Sequence, residues 1–85
     1  MTVLSLPIFA QSKLTGTVVD GATGEALIGA SIVVQGTGTG GVTDLDGHFS
    51  IDVPKGKTKV IVSSVGYTSQ TINVAGKSNI TVKLV

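Results

Sequence analysis

Short runs of Val, Ile and Thr between residues 14 and 67 are broken at close intervals by Asp-Gly, Thr-Gly, Gly-Gly and Lys-Gly dipeptides. That rhythm constrains the chain more than any other feature. Short alternating apolar runs make strands, and such dipeptides supply the tight turns between them. The pattern is clearest at residues 48–53, where Phe49, Ile51 and Val53 alternate with His48, Ser50 and Asp52. A period of two cannot be satisfied by a helix, whose 3.6-residue turn would scatter these apolar side chains around its axis.

Seven strands are expected, at residues 14–19, 27–35, 42–44, 48–53, 58–65, 68–74 and 78–84. Alternation points Leu14, Gly16 and Val18 to one face, and likewise Ala30, Ile32 and Val34, then Ile72 and Val74, then Ile80, Val82 and Leu84. Residues 58–65 are nearly all apolar or small, as in a central strand covered on both faces. Residues 36–41 (GTGTGG) read as a flexible loop. Seven short antiparallel strands with frequent turns predict an all-β, two-sheet sandwich. Its expected core includes Phe49, Ile51, Val53, Ile32, Val34, Ile80 and Val82. With only 4 % aromatic residues the core must be aliphatic, so Phe49 and Tyr67 are expected to be its large fillers. Eighty-five residues make one small domain, which buries only about 60 % of its unfolded surface and has a narrow stability margin.

Charge excludes some functions. The net charge is +1, there is no Arg, and the six lysines are scattered along the sequence. A nucleic-acid surface calls for clustered basic residues with stacking aromatics, so no nucleic-acid partner is expected. The absence of Cys excludes disulfides and thiolate metal sites. Residues 3–10 (VLSLPIFA) are apolar but far shorter than the roughly 20 residues that span a bilayer. They read as the end of a secretory signal, with Ala10 as the small residue before cleavage. Residues 1–12 are therefore expected to be a signal remnant or a disordered leader, and residues 13–85 the sandwich.

Several short patterns invite a chemical reading and fail on context. Asp44-Leu45-Asp46-Gly47 resembles half of a calcium loop, but no further oxygen ligands or closing Glu follow. It is expected to be a turn in which Asp44 accepts backbone donors. His48 is the single histidine, and a metal site or triad needs more partners than the chain offers. Asp20 and Glu25 flank a turn. The glycines of residues 36–41 precede a strand and not a helix, which is the wrong setting for a phosphate cradle. Ser63 and Ser64 have no base or strained elbow beside them. No catalytic, cofactor-binding or metal-binding residue is assigned, no cofactor is expected, and the chain is expected not to be an enzyme.

An ordered series of motifs extends the reading. Residues 16–20 (GTVVD), 24–34 (GEALIGASIVV), 43–49 (TDLDGHF) and 65–67 (VGY) together resemble the carboxypeptidase-regulatory-like (CarboxypepD_reg-like) domain. Within that family they look most like the N-terminal extension of SusC/RagA-type TonB-dependent outer-membrane transporters. Ala26 stands where that subgroup usually has Pro, and His48 where it usually has Asn. The resemblance implies a Greek-key sandwich of the transthyretin or prealbumin (Ig-like) kind. It implies a non-catalytic accessory domain, exported to the periplasmic face of the outer membrane. The parent protein would be an outer-membrane transporter of nutrients such as glycans or peptides. The partner would be a periplasmic protein, either the TonB energising system or the transporter's own plug. The alternative is a structural, adhesive or regulatory sandwich of another exported protein, such as a metallocarboxypeptidase. A signal directly before the sandwich speaks against that arrangement. A carbohydrate-binding role is weak, because the aromatics are limited to Phe9, Phe49 and Tyr67.

Overall fold

A computed structural model describes residues 12–85, in which seven strands follow one another: β1 (Ser12–Asp20), β2 (Ser31–Val34), β3 (Gly40–Val42), β4 (His48–Val53), β5 (Lys59–Ser63), β6 (Gln70–Asn73) and β7 (Asn79–Leu84). The leader expected at residues 1–12 lies outside the described residues except for Ser12, which opens β1 opposite Val53. The strands form a three-stranded sheet in the order β4-β1-β7 and a four-stranded sheet in the order β3-β2-β5-β6. After the β2–β3 hairpin the chain crosses to place β4 beside β1, then returns to lay β5 beside β2. This is the all-β, seven-stranded, two-sheet sandwich that the alternation predicts.

One pairing departs from that expectation. β1 and β7 run parallel, with Thr15 opposite Asn79 and Asp20 opposite Leu84. An all-antiparallel reading fails here because a period of two is common to both kinds of ladder. Only the return of the chain from β6 decides the direction of β7.

The core lies between the sheets. Phe49, Ile51 and Val53 meet Ile32 and Val34, Ile80 and Val82, with Leu14, Val18, Val60, Val62 and Leu84 filling the rest. Each such side chain gains about 1.5–3 kcal/mol from leaving water. β1 is the middle strand of its sheet, and Gly16 sits in its centre, opposite Phe49 on one side and Ile80 on the other. A Cβ at Gly16 would lie 2.6 Å from the Phe49 ring and 2.5 Å from the Ile80 carbonyl oxygen. The missing side chain is therefore the space in which the Phe49 ring rests.

Other expectations are corrected locally. The strand expected at residues 27–35 is confined to Ser31–Val34, because residues 27–30 bond to Thr43, with only the Leu27 amide reaching the Val18 carbonyl of β1. The strand expected at 42–44 is shifted to Gly40–Val42. Part of the presumed flexible loop is thus strand. A Cβ at Gly40 would collide with the Ile32 carbonyl oxygen, so glycine is what lets β3 approach β2. The rest of that loop is pinned by Thr37, whose hydroxyl donates to the Val34 carbonyl and accepts from the Thr39 amide. β5 is central but covered on one face only: Val60 and Val62 are buried, Ile61 is half-buried, and Val65, beyond the strand, is 99 % exposed. Tyr67 is not a core filler. It is half-buried at the rim, packed against the core, with its hydroxyl turned outward to Asp20.

Candidate functional site

Strands that alternate in direction send every second turn to the same end of a sandwich. The turns after β1, β3 and β5 therefore share one end with Val85, and those after β2, β4 and β6 share the other with Ser12. The five carboxylates and six lysines sort by that parity.

Asp20, Glu25, Asp44 and Asp46 belong to the first end. Asp20 closes its turn by accepting the amides of Ala22 and Thr23 on Oδ1, at 2.7 and 3.0 Å. Its Oδ2 accepts a 2.6 Å hydrogen bond from the Tyr67 hydroxyl. The Tyr67 bond first, then the two amides, holds the Asp20 carboxyl below its usual pKa. The same bond, with desolvation and the charges of Asp20 and Glu25, raises the pKa of Tyr67. Both oxygens of Asp20 are thus engaged in holding loops and offer no free base.

Asp44 does similar work. Its Oδ1 accepts the amides of His48 and Asp46 at 3.0 and 2.9 Å, and these bonds lower its pKa, that to His48 most. Gly47 completes the turn at φ +76°, a left-handed conformation that glycine adopts without strain. The turn is of the kind expected at this motif. It brings ligand atoms of Asp44, Asp46 and His48 within 4.8 Å of one another, all on exposed side chains. Two exposed carboxylates and an imidazole fall short of the about six to eight oxygens that calcium takes.

Thr43 was not singled out by sequence reasoning, yet it joins this end of the sandwich to the core. It is buried, its hydroxyl donates to the Leu27 carbonyl at 2.5 Å, and it accepts the Ala30 amide at 2.8 Å. Its own amide donates to the Ala30 carbonyl, and its carbonyl accepts from Gly29. A threonine between an exposed valine and an exposed aspartate carries no hint of this in the sequence.

The opposite end gathers Lys13, Lys55, Lys57, Lys59 and Lys77. The turn after β4 and the turn after β6 stand apart there and frame a cleft of about 440 Å³. Its lining combines Val53, Pro54, Val74 and Ala75 with Lys13, Lys55, Lys57 and Lys77. Among the described residues, Lys13 is within ion-pair range of Asp52, at 3.9 Å, and no other lysine has a carboxylate so near. Counting Asp52, this end carries +5 − 1 = +4; the other carries −4 from its carboxylates and +1 from Lys83, or −3. The scattered lysines of the sequence are clustered by the fold, and the net +1 is the sum of two opposed poles.

The large apolar side chains that remain exposed are also unevenly placed. Ile28, Val42, Leu45, Val65 and Val85 lie at or next to the acidic end, while Val33 is on the outward face of β2. Ser63 is half-buried in β5, and the Ser64 carbonyl accepts the Tyr67 amide. Glu25 meets Asp20 through a backbone bond between the Asp20 amide and the Glu25 carbonyl. The arrangement can present charge and shape to a partner. Among the described residues the one hydroxyl hydrogen-bonded to a carboxylate is that of Tyr67, whose partner Asp20 also closes its own turn.

Comparison with known proteins bears on the sequence and on the fold. A model of the CarboxypepD_reg-like domain matches residues 14–85. The TonB-dependent receptor SusC of Bacteroides thetaiotaomicron is 41 % identical over 80 residues, which is 94 % of this chain and 8 % of that protein. The TonB-dependent receptor P3 of Formosa agariphila is 37 % identical over 76 residues, 88 % of this chain and 8 % of that protein. The chain thus spans less than about a tenth of the receptors it matches. A chain of a type II cohesin–X-dockerin complex from Acetivibrio cellulolyticus superposes with a TM-score of 0.65 at 24 % identity, over 85 % of this chain and 51 % of that one. At that identity the likeness concerns the fold alone.

Proposed function

The chain belongs to the CarboxypepD_reg-like domain family, and from that premise we propose that it is a non-catalytic accessory domain of a TonB-dependent outer-membrane receptor, placed N-terminal to the transport machinery and working by protein contacts in the periplasm. The observation that carries the reading is the 41 % identity to the SusC receptor across 94 % of the chain. The layout of the sandwich supports it. Asp20 and Asp44 hold turns, Thr37 and Thr43 hold loops, and the charge is displayed at two ends, as suits a module that is recognised and does not react. The imported solute would be a nutrient such as a glycan or a peptide, handled by the rest of the receptor.

The test is deletion of residues 13–85 from the full-length receptor, with outer-membrane abundance and solute-dependent growth measured together. A transmembrane barrel satisfies its backbone by closing on itself and does not need this domain to do so. Abundance should hold while growth falls. Normal growth removes the accessory role, and lost abundance recasts the domain as an assembly aid.

A further inference from the structure

We propose that the basic pole is the docking site of this domain, and that its occupant is an acidic segment of a protein partner. The inference rests on the accessory-domain reading, which calls for a partner but does not say where it binds. Three separate stretches of chain converge here: the start of β1, the turn after β4 and the turn after β6. They bring Lys13, Lys55, Lys57 and Lys77 around one cleft, and only Lys13 has a nearby counter-charge among the described residues. Like charges held together without compensation raise the local potential and draw anions. A flat solvated face would do no more than that. This pole also has a recess of about 440 Å³ lined by Pro54 and Ala75 as well as by the lysines, so an entering segment can set apolar side chains against the former and carboxylates against the latter.

The chemistry favours protein over lipid. Binding to an anionic membrane surface combines basic residues with apolar side chains that insert beside them. Here the two are separated: the exposed Ile28, Leu45, Val65 and Val85 lie at the acidic end, and the lysines of the cleft at the other. The chain also has no Arg, the side chain that grips phosphate with a planar fork. Lysine is a flexible point charge, which suits carboxylates spaced along an extended segment. The acidic pole, being −3, keeps such a segment from binding the wrong end.

The test titrates the 85-residue chain, labelled for amide NMR, with a synthetic peptide of alternating Glu and Val. A peptide of alternating Lys and Val and vesicles of phosphatidylglycerol serve as the comparison arms. Saturable shifts should appear in the turns at 54–58 and 74–78 and at the start of β1, with no binding of the Lys peptide. Replacing Lys55, Lys57 and Lys77 together by Gln should weaken the acidic peptide about tenfold, roughly three exposed ion pairs' worth. These lysines are exposed, so the fold should survive, as circular dichroism will verify. Absence of saturable shifts, shifts centred on the acidic pole, or an unchanged affinity in the triple variant overturns the proposal. Binding to vesicles without binding to the peptide also overturns it, in favour of a lipid head group. In the full-length receptor the triple variant is then compared with the deletion of residues 13–85. If deletion lowers uptake and the triple variant does not, the docking site is wrong and the accessory role stands. If deletion changes nothing, the accessory role fails and this inference with it.

Discussion

The Tyr67 hydroxyl donates to Oδ2 of Asp20 at 2.6 Å, linking the loop after β5 to the turn after β1 across 47 residues of sequence. The bond depends on a protonated phenol and an ionised carboxylate, so it is sensitive at both ends of the pH scale. The Tyr67 pKa is raised in the folded state. Its contribution is therefore complete below the unfolded value of about 10 and is lost as pH rises through the folded one. The Asp20 pKa is lowered, so its contribution is present above the unfolded carboxyl value of about 3.9 and is lost as pH falls through the folded one. Tyr67 is the single tyrosine and there is no tryptophan, so tyrosinate absorbance reads this residue alone. Its titration midpoint should lie above that of the urea-unfolded chain. Asp20→Asn should lower that midpoint and flatten the acid limb of the melting temperature, while Tyr67→Phe should flatten the alkaline limb. Equal midpoints in folded and unfolded chains would show that the bond does not form in solution.

Phe49 and Gly16 form one packing unit, because the ring occupies the place of the absent side chain. Phe49→Ala should cost about 3–5 kcal/mol, a large share of the stability of so small a domain. Gly16→Ala should cost about 1–3 kcal/mol by overpacking. The double variant should be less destabilised than the sum, since the ring no longer resists the new methyl and only the Ile80 carbonyl does. His48→Ala, on the exposed face of β4, should change little. Urea melts of the four variants decide this; strict additivity would mean that the ring and the glycine do not meet.

Thr43→Val keeps the shape of the side chain and removes its hydroxyl. The Ala30 amide and the Leu27 carbonyl would lose their side-chain partner at a site that is largely closed to water. The expected loss is about 1–3 kcal/mol. Thr43→Ser should recover most of it. Hydrogen exchange at Ala30 provides a local reading: faster exchange in the Val variant and near-native exchange in the Ser variant. If Val and Ser melt alike, the hydroxyl is not what holds this loop.

Strands that face the core on one side were plain in the sequence. β4 has the expected bounds and alternates strictly between exposed and buried, and β7 does the same from Asn79 to Leu84. Period-two patterning reports burial directly, so it is readable wherever one face is wet. It says nothing of a neighbour's direction, so the parallel run of β1 and β7 is not legible in it. It also fails for loops fixed by a single side chain, as residues 27–30 are by Thr43. The charged poles were invisible as long as the lysines were read by spacing along the chain. A readable signal exists in turn parity: the carboxylates at 20, 25, 44 and 46 fall at turns after odd strands, and the lysines at 55, 57 and 77 at turns after even ones. Reading it takes the order of the strands and their alternating direction, not the spacing of the charges alone.

The parallel ladder between β1 and β7 has a mechanical meaning. Ser12 begins one strand at the basic pole, and Leu84 ends the other near the acidic pole. Tension between residues 12 and 85 drags the two strands lengthwise past each other, so their hydrogen bonds are strained together and must fail together. Tension between residues 12 and 53, which face each other at the same end of β1 and β4, opens that pair one bond at a time. Forced rupture is governed by the unfolding barrier and not by equilibrium stability. The same molecule should therefore resist stretching between residues 12 and 85 more strongly than peeling between residues 12 and 53, which single-molecule pulling along the two directions would measure. The fold is a clamp only for load along β1 and β7.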